Sequence, residues 1–304
     1  MNSVLADARA RLAPPSPIDL ALTMGAFRRG PYDPTIWFDG GQVSRAARTP
    51  DGPATLQLRP IGDQIEAQAW GPGSGWAISH AGDLVGFNDQ PESFKPENPL
   101  LRELHRQYAG LRVGATGLVF EALLPTVLEQ KVPGMEAWRS FARLTRELGE
   151  PAPGSIGLFV QPSPHRLLAT PYWAVHRFGI ERRRFNVIQH AASIATQLER
   201  TTQLSPESAR QVLMSLPGVG PWSAAEVSVV AYGDRDAVSV GDYHLPHQVA
   251  WALAGEPRGS DVRMLELLEA YRGHRARVLR LLTLGGIQAP RFGPRMRLRA
   301  ISRI

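Results

Sequence analysis

The sequence predicts an α+β protein. An amino-terminal part built on an antiparallel sheet (residues 1–98) precedes a mostly helical part (residues 99–304). Three observations carry this reading. Over the first hundred residues apolar positions alternate and glycine and proline break the pattern often, as in short strands joined by turns. Beyond Pro99 the apolar spacing changes to three and four, the period of a helix. The change is one of texture alone, with no internal repeat and no low-complexity run.

In the first part, Ile18, Leu20, Leu22 and Met24 alternate with less apolar neighbours, which predicts a half-buried strand. TIWF, then DGG, then QVSRAAR reads as two strands about a turn, and TLQLRP, IGD, QIEAQAW reads as a hairpin. In the second part, GLVFEALLPTVLEQ sets Leu118, Val119, Ala122, Leu123 and Val127 on one helical face and stops before Pro133. GMEAWRSFARLTREL and GIERRRFNVIQHAASIATQL follow as helices. SPESARQVLMS opens with Ser205 at the N-cap and Pro206 at the first helical position, although Ser208 stands where a capping box has glutamate. DYHLPHQVAWAL, DVRMLELLEAY and HRARVLRLL keep the helical period to the carboxyl end.

Composition narrows the chemistry. A chain of 304 residues, 43% hydrophobic and 20% charged, buries a sizeable core in one large or two modest domains. Cysteine is absent, which excludes disulfides and cysteine-ligated zinc or iron–sulfur clusters and fits a reducing cytoplasm. No apolar run approaches the roughly 20 residues of a membrane helix. The first residues carry charges where a secretion signal has its apolar segment, so a cytoplasmic protein without a membrane partner is expected. The net charge of +6 favours a polyanionic partner. Lys95 and Lys131 are the two lysines, so a lysine nucleophile has two candidates. His244 and His247 lie three apart with no third ligand in view, and no catalytic metal is expected. No long apolar stripe demands a partner, so a monomer is expected.

Within the stretch SLPGVGPWSAAEVSVVAYG, two glycines and two prolines are packed into PGVGP between apolar runs. A helix ends near Ser215, the chain passes through Leu216, Pro217, Gly218, Val219 and Gly220, and Pro221 opens a new helix. Glycine allows a positive φ and close approach to a ligand, and the first amides of the next helix lack acceptors. Such a corner suits a phosphate. A plain helix–helix turn has the same composition. Downstream, Asp242 precedes DYHLPHQVAWAL, where it serves as a helix cap, as a reactive carboxylate, or as both.

LPGVGPWSAAE followed by DAVSVGDYHLPHQVAWAL resembles the HhH-GPD superfamily of DNA base-excision glycosylases, named for a helix–hairpin–helix, a Gly/Pro-rich segment and an aspartate. The likeness is nearer still to the AlkA-type 3-methyladenine glycosylases: Trp222 stands two residues past the hairpin glycine and Tyr243 follows the aspartate. FEALLPTVLEQKV and EAYRGHRARVLRLL resemble helices of that group, so the likeness spans most of the chain. It implies double-stranded DNA carrying a damaged base as the partner and removal of alkylated purines as the activity. It implies Asp242 as the catalytic carboxylate and a phosphate on the hairpin amides, with a monovalent cation on hairpin carbonyls and no other cofactor. Trp222 and Tyr243 are implied as base-stacking aromatics; packed core rings are their plainer reading. Relatives that also cut the strand carry lysine where Trp222 stands, so a monofunctional enzyme using water is implied.

Three departures bear on the substrate. Glu226, one helical turn past Trp222, and Arg280 occupy positions where the group has aromatic residues, and Ala270 replaces a proline. Glu226 then binds a base amino group or a cationic base, pairs with Arg280, or faces solvent. Lys131 stands where relatives insert an apolar wedge into the duplex, and Gln130 beside it suits the base opposite the extruded one. A glycosylase for another lesion, such as a deaminated base, and a catalytically silent helix–hairpin–helix DNA-binding protein are the two alternatives.

Overall fold

The computed structural model describes residues 5–290. Strands are numbered in chain order, as are helices of eight or more residues. β1 (Ala8–Leu12), β2 (Ile36–Asp39), β3 (Gln42–Thr49), β4 (Gly52–Ile61) and β5 (Gln64–Trp70) form one antiparallel sheet in the order β1-β5-β4-β3-β2. β2 to β5 are a meander whose turns carry the glycines seen in the sequence, and β1 closes the far edge by pairing Ala10 with Ala67. Alternation sends Ile65, Ala67 and Ala69 of β5 inward and leaves Gln64, Glu66 and Gln68 on the other face.

The alternating run at residues 18–24 is not a strand. Leu20–Met24 is a short helix capped by Asp19, whose side chain accepts from the Leu22 amide. The apolar residues at 20 and 24 also satisfy helical spacing, so a five-residue element fits both periods and the cap decides.

The helices are α1 (Pro99–Gln107), α2 (Val119–Glu129), α3 (Gly134–Leu148), α4 (Arg182–Ser193), α5 (Pro206–Met214), α6 (Pro221–Tyr232), α7 (Leu245–Ala254), α8 (Asp261–Leu268) and α9 (Arg275–Leu284). Ser205 caps α5 by accepting from the Ser208 amide, as its sequence predicts. The core has two main parts. In the larger, the inner face of the sheet (Val43, Leu56, Ala67) is continuous with Leu123 and Val127 of α2, Phe185 of α4 and Val227 of α6. In the smaller, Leu101 and Leu104 of α1 pack with Val249, Met264, Leu268 and Leu282 of α7 to α9. α2 is buried along most of its length and keeps Pro125 inside the helix. Its first amides, Val119 and Phe120, donate to the Glu199 carboxylate at 2.8 Å each. Glu121 of α2 accepts from Arg45 of β3 and from the Arg48 amide, which ties helix to sheet.

The segment from Gly233 to His244 crosses from the larger core to the smaller one. Asp234 accepts from Arg210 of α5 and Ser228 of α6. Asp236 accepts from the Gly273 and Arg275 amides and from the Arg275 guanidinium. Burial pushes the Asp236 carboxyl up, and these donors outweigh it, so the group titrates below its ordinary value. The crossing segment is thereby fixed at both flanks. Arg291, Arg295, Arg297, Arg299 and Arg303, a basic run suited to phosphate contact, lie outside the described residues.

Candidate active site

Two features meet where the chain crosses between the cores. The first is the glycine hairpin between α5 and α6. Leu216 and Val219 are its buried anchors, and the Val219 amide closes the turn on the Leu216 carbonyl at 3.0 Å. Gly218 has φ +89°, and a Cβ there would stand 2.4 Å from Val187 Cγ2 of α4. Both the left-handed conformation and the close approach require glycine. Gly220 caps α6 without a side chain, Pro221 fills the first position, and Ala224 makes the first helical bond back to Gly220. The amides of Trp222 and Ser223 thus stand at the positive end of the helix without helical acceptors.

Gln130, the residue after α2, grips this hairpin. Its Nε2 donates to the Gly218 carbonyl at 2.9 Å and to Ser223 Oγ at 2.9 Å. In this structure Gln130 serves the hairpin from within the fold, a role its sequence position did not suggest. Lys131 follows in the left-handed region, φ +56°, exposed in the turn before α3. Among hairpin carbonyls, Gly218 is engaged by Gln130 and Leu216 by Val219. Those of Pro217 and Val219 accept no hydrogen bond among the described residues and remain open to a monovalent cation.

The second feature is Asp242. Its Oδ1 accepts from the His244 amide at 2.7 Å and the Leu245 amide at 2.9 Å, at the entry to α7. Its Oδ2 accepts from the indole Nε1 of Trp222 at 3.0 Å. Asp242 is thus not the N-cap of α7, which is His244, but two amides at the helix entry orient its carboxylate, and Trp222 links it to the hairpin. Tyr243 turns the other way: it is 75% exposed and meets His244 and His247 edge-on. His247 Nδ1 accepts from the Gly259 amide, and no cluster of metal-binding side chains occurs among the described residues.

Glu226 lies one turn along α6 from Trp222 and accepts a hydrogen bond from Ser239 Oγ. Burial pushes its carboxyl above the ordinary value; Ser239 and Arg29 lower it, and Glu129 and Asp242 raise it further. The expected pairing of Glu226 with Arg280 does not form. Arg280 donates through Nη2 to the Leu22 carbonyl at 3.3 Å, its Nε is buried without a partner, and burial pushes its guanidinium down. Arg280 sits on α9, which begins only at Arg275, and reaches the Leu20–Met24 helix instead of Glu226.

Sequence reasoning missed Arg29, Glu129 and Ser239 as neighbours of this site. Arg29 pairs with Glu129 at 3.4 Å, both largely covered, and Glu129 also accepts from Trp138 Nε1 at 3.2 Å. The loop bearing Arg29 is pinned by Asp33, which accepts from the Arg29 amide at 2.6 Å and from the Thr35 amide and hydroxyl. Glu129 adjoins Gln130 and Ser239 lies in the quoted Gly/Pro-rich segment, which is the nearest thing to a signal. For Arg29, 197 positions from Glu226, the sequence offers none.

No family model matches the chain. DNA-3-methyladenine glycosylase 2 of Escherichia coli K12 is 27% identical over 148 residues, which are 48% of this chain and 52% of that protein. The chain thus matches about half the length of this curated relative. The structure superposes on a 3-methyladenine DNA glycosylase from Archaeoglobus fulgidus with a TM-score of 0.75 at 20% identity, covering 90% of this chain and 97% of that one. The chain has the fold of a DNA glycosylase. A second solved structure, the Clostridium acetobutylicum 8-oxoguanine glycosylase/lyase, superposes with a TM-score of 0.70 at 13% identity over 93% of this chain and 99% of that one. The resemblance drawn from the hairpin and the aspartate is therefore matched by a sequence relative and by the glycosylase fold as a whole. Among the described residues no helix is long and apolar enough to cross a membrane.

Proposed function

We propose that this chain is a monofunctional DNA glycosylase that hydrolyses the N-glycosidic bond of damaged, alkylated purines in double-stranded DNA. The observation that carries the reading is Asp242, a carboxylate fixed by two amides and an indole beside a hairpin with open amides.

The chemistry follows from that geometry. The hairpin amides take a backbone phosphate of the lesion strand. The damaged nucleotide leaves the stack and enters the site beside Trp222. As the bond from C1′ to the base nitrogen breaks, its electron pair departs with the base and positive charge grows on the sugar. Asp242 opposes that charge and accepts a proton from the water that attacks C1′, leaving an abasic site and a free base. The three donors hold the carboxylate in place before reaction, so little reorganisation remains for the transition state. Trp222 occupies the position where strand-cutting relatives have lysine, which supports water as the nucleophile. The names of the Escherichia coli and Archaeoglobus fulgidus relatives support an alkylated purine; the name of the Clostridium relative keeps an oxidised base as the second reading.

The test is base release from methylated duplex DNA by wild type and Asp242→Asn in parallel. Asparagine keeps an oxygen for the His244 and Leu245 amides but not the charge. Release of 3-methyladenine by wild type, at least about 100-fold slower release by the variant, and strand breaks only after alkali are expected. Binding by both proteins without release of any damaged base would leave a silent DNA-binding protein.

A further inference from the structure

We propose that Glu226 reads the extruded base, and that its carboxylate, set by Ser239, favours purines carrying positive charge over neutral damaged bases. This rests on the glycosylase reading above and assigns selectivity within that site.

Three observations converge on Glu226. Its place on α6, one turn beyond Trp222, puts it on the helix face that also carries the indole bound to Asp242. Its side chain is held rather than free, because Ser239 Oγ donates to Oε1. And its charged surroundings are lopsided. The charges that act on it are Arg29 from the amino-terminal loop, Glu129 from the end of α2, and Asp242 from the crossing segment. Arg29 is already engaged by Glu129. Three carboxyl groups therefore share one guanidinium in a partly buried site, and a cation entering there relieves the imbalance. A purine nucleotide alkylated at ring nitrogen N3 or N7 is such a cation; a deaminated purine is not. Aromatic rings attract a cation weakly through their faces, whereas a carboxylate within contact distance does so directly. Glu226 thus does by charge what an aromatic residue at that position does by stacking.

A pH signature follows. With burial raising its carboxyl, Glu226 is protonated at the acid end and ionises as pH rises. Release of a cationic base therefore rises through that titration, and release of a neutral one does not follow it.

The experiment measures single-turnover base release by the full chain from two duplexes, one with 7-methylguanine, which is cationic, and one with hypoxanthine, which is neutral. Wild type and Glu226→Gln are compared from acid to neutral pH. The expected result is preference for 7-methylguanine by wild type, a loss of about tenfold for that base in the variant, little change for hypoxanthine, and in the variant the same pH dependence for both bases. Equal effects on both bases, or none on either, overturn the proposal. So does a wild type that prefers hypoxanthine, and in that case the glycosylase reading survives. Release of neither base by a wild type that still releases 3-methyladenine overturns the proposal and leaves the glycosylase reading; release of no damaged base at all removes both. Binding to a duplex with a tetrahydrofuran abasic analogue, which has no base to read, checks that the variant is folded. If that binding is lost, Glu226→Asp, which keeps the charge, decides. Retained preference for 7-methylguanine supports the proposal, and loss of preference at full abasic binding overturns it.

Discussion

Asp242 and Trp222 illustrate how much a single contact adds to a motif. The aspartate and its register after the hairpin were legible in the sequence. The hydrogen bond from the indole to Oδ2 was not, because it joins residues twenty apart through a turn whose geometry spacing does not specify. Trp222→Phe keeps a ring and removes that donor. It is expected to slow base release about tenfold, the size of a lost charge-assisted hydrogen bond, with DNA binding unchanged in a gel-shift or anisotropy titration. Tyr243, the adjacent position in sequence, is exposed, which sets aside its plainer reading as a packed core ring. Glu226 carries a stability consequence of its own. Burial raises its folded pKa above the unfolded value, so the folded state holds the proton more tightly. That contribution is full below the unfolded pKa and is lost as pH rises through the folded one. Glu226→Gln is accordingly expected to raise the melting temperature at neutral pH, with the difference shrinking toward acid. A calorimetric pH series checks this.

Among the elements, the α5–hairpin–α6 unit was the most legible, since its proline, glycine and N-cap signals agree with one another. The contacts that hold it were invisible: Gln130 arrives from just past α2, and Asp234, just past α6, joins α5 to α6. Gly218→Ala meets both a positive φ and Val187, and is expected to cost about 1–3 kcal/mol in denaturant unfolding while weakening DNA binding. Gln130→Ala removes two donors to the hairpin and is expected to weaken binding by about 1 kcal/mol with a smaller effect on unfolding. The sheet strands were found where alternation was long enough and bounded by turns. The segment at residues 18–24 failed because five residues do not separate two periods, and β1 was passed over because ARARL alternates small and charged residues with a single large apolar side chain, Leu12, at its end.

For the molecule as a whole, the two-part composition was legible but the sharing of its core was not, since spacing along a chain says nothing of which distant faces meet. The smaller core also holds a buried ion pair, Arg277 with Asp89, each 1% exposed, with His274 accepting from Arg277 Nε. Asp89→Asn leaves a guanidinium without its counter-charge and is expected to cost about 3–5 kcal/mol, read from urea unfolding. The net charge of +6 predicts that DNA affinity falls linearly with salt on logarithmic axes, and a flat response would argue against backbone contact as the main source of affinity. A last consequence follows from Arg29, which the sheet-bearing part lends to the neighbourhood of Glu226 from a loop pinned by Asp33. Under the proposal for Glu226, exchanging residues 25–35 is expected to shift base selectivity while leaving the helical scaffold intact, which makes this loop of the sheet-bearing part a handle on specificity.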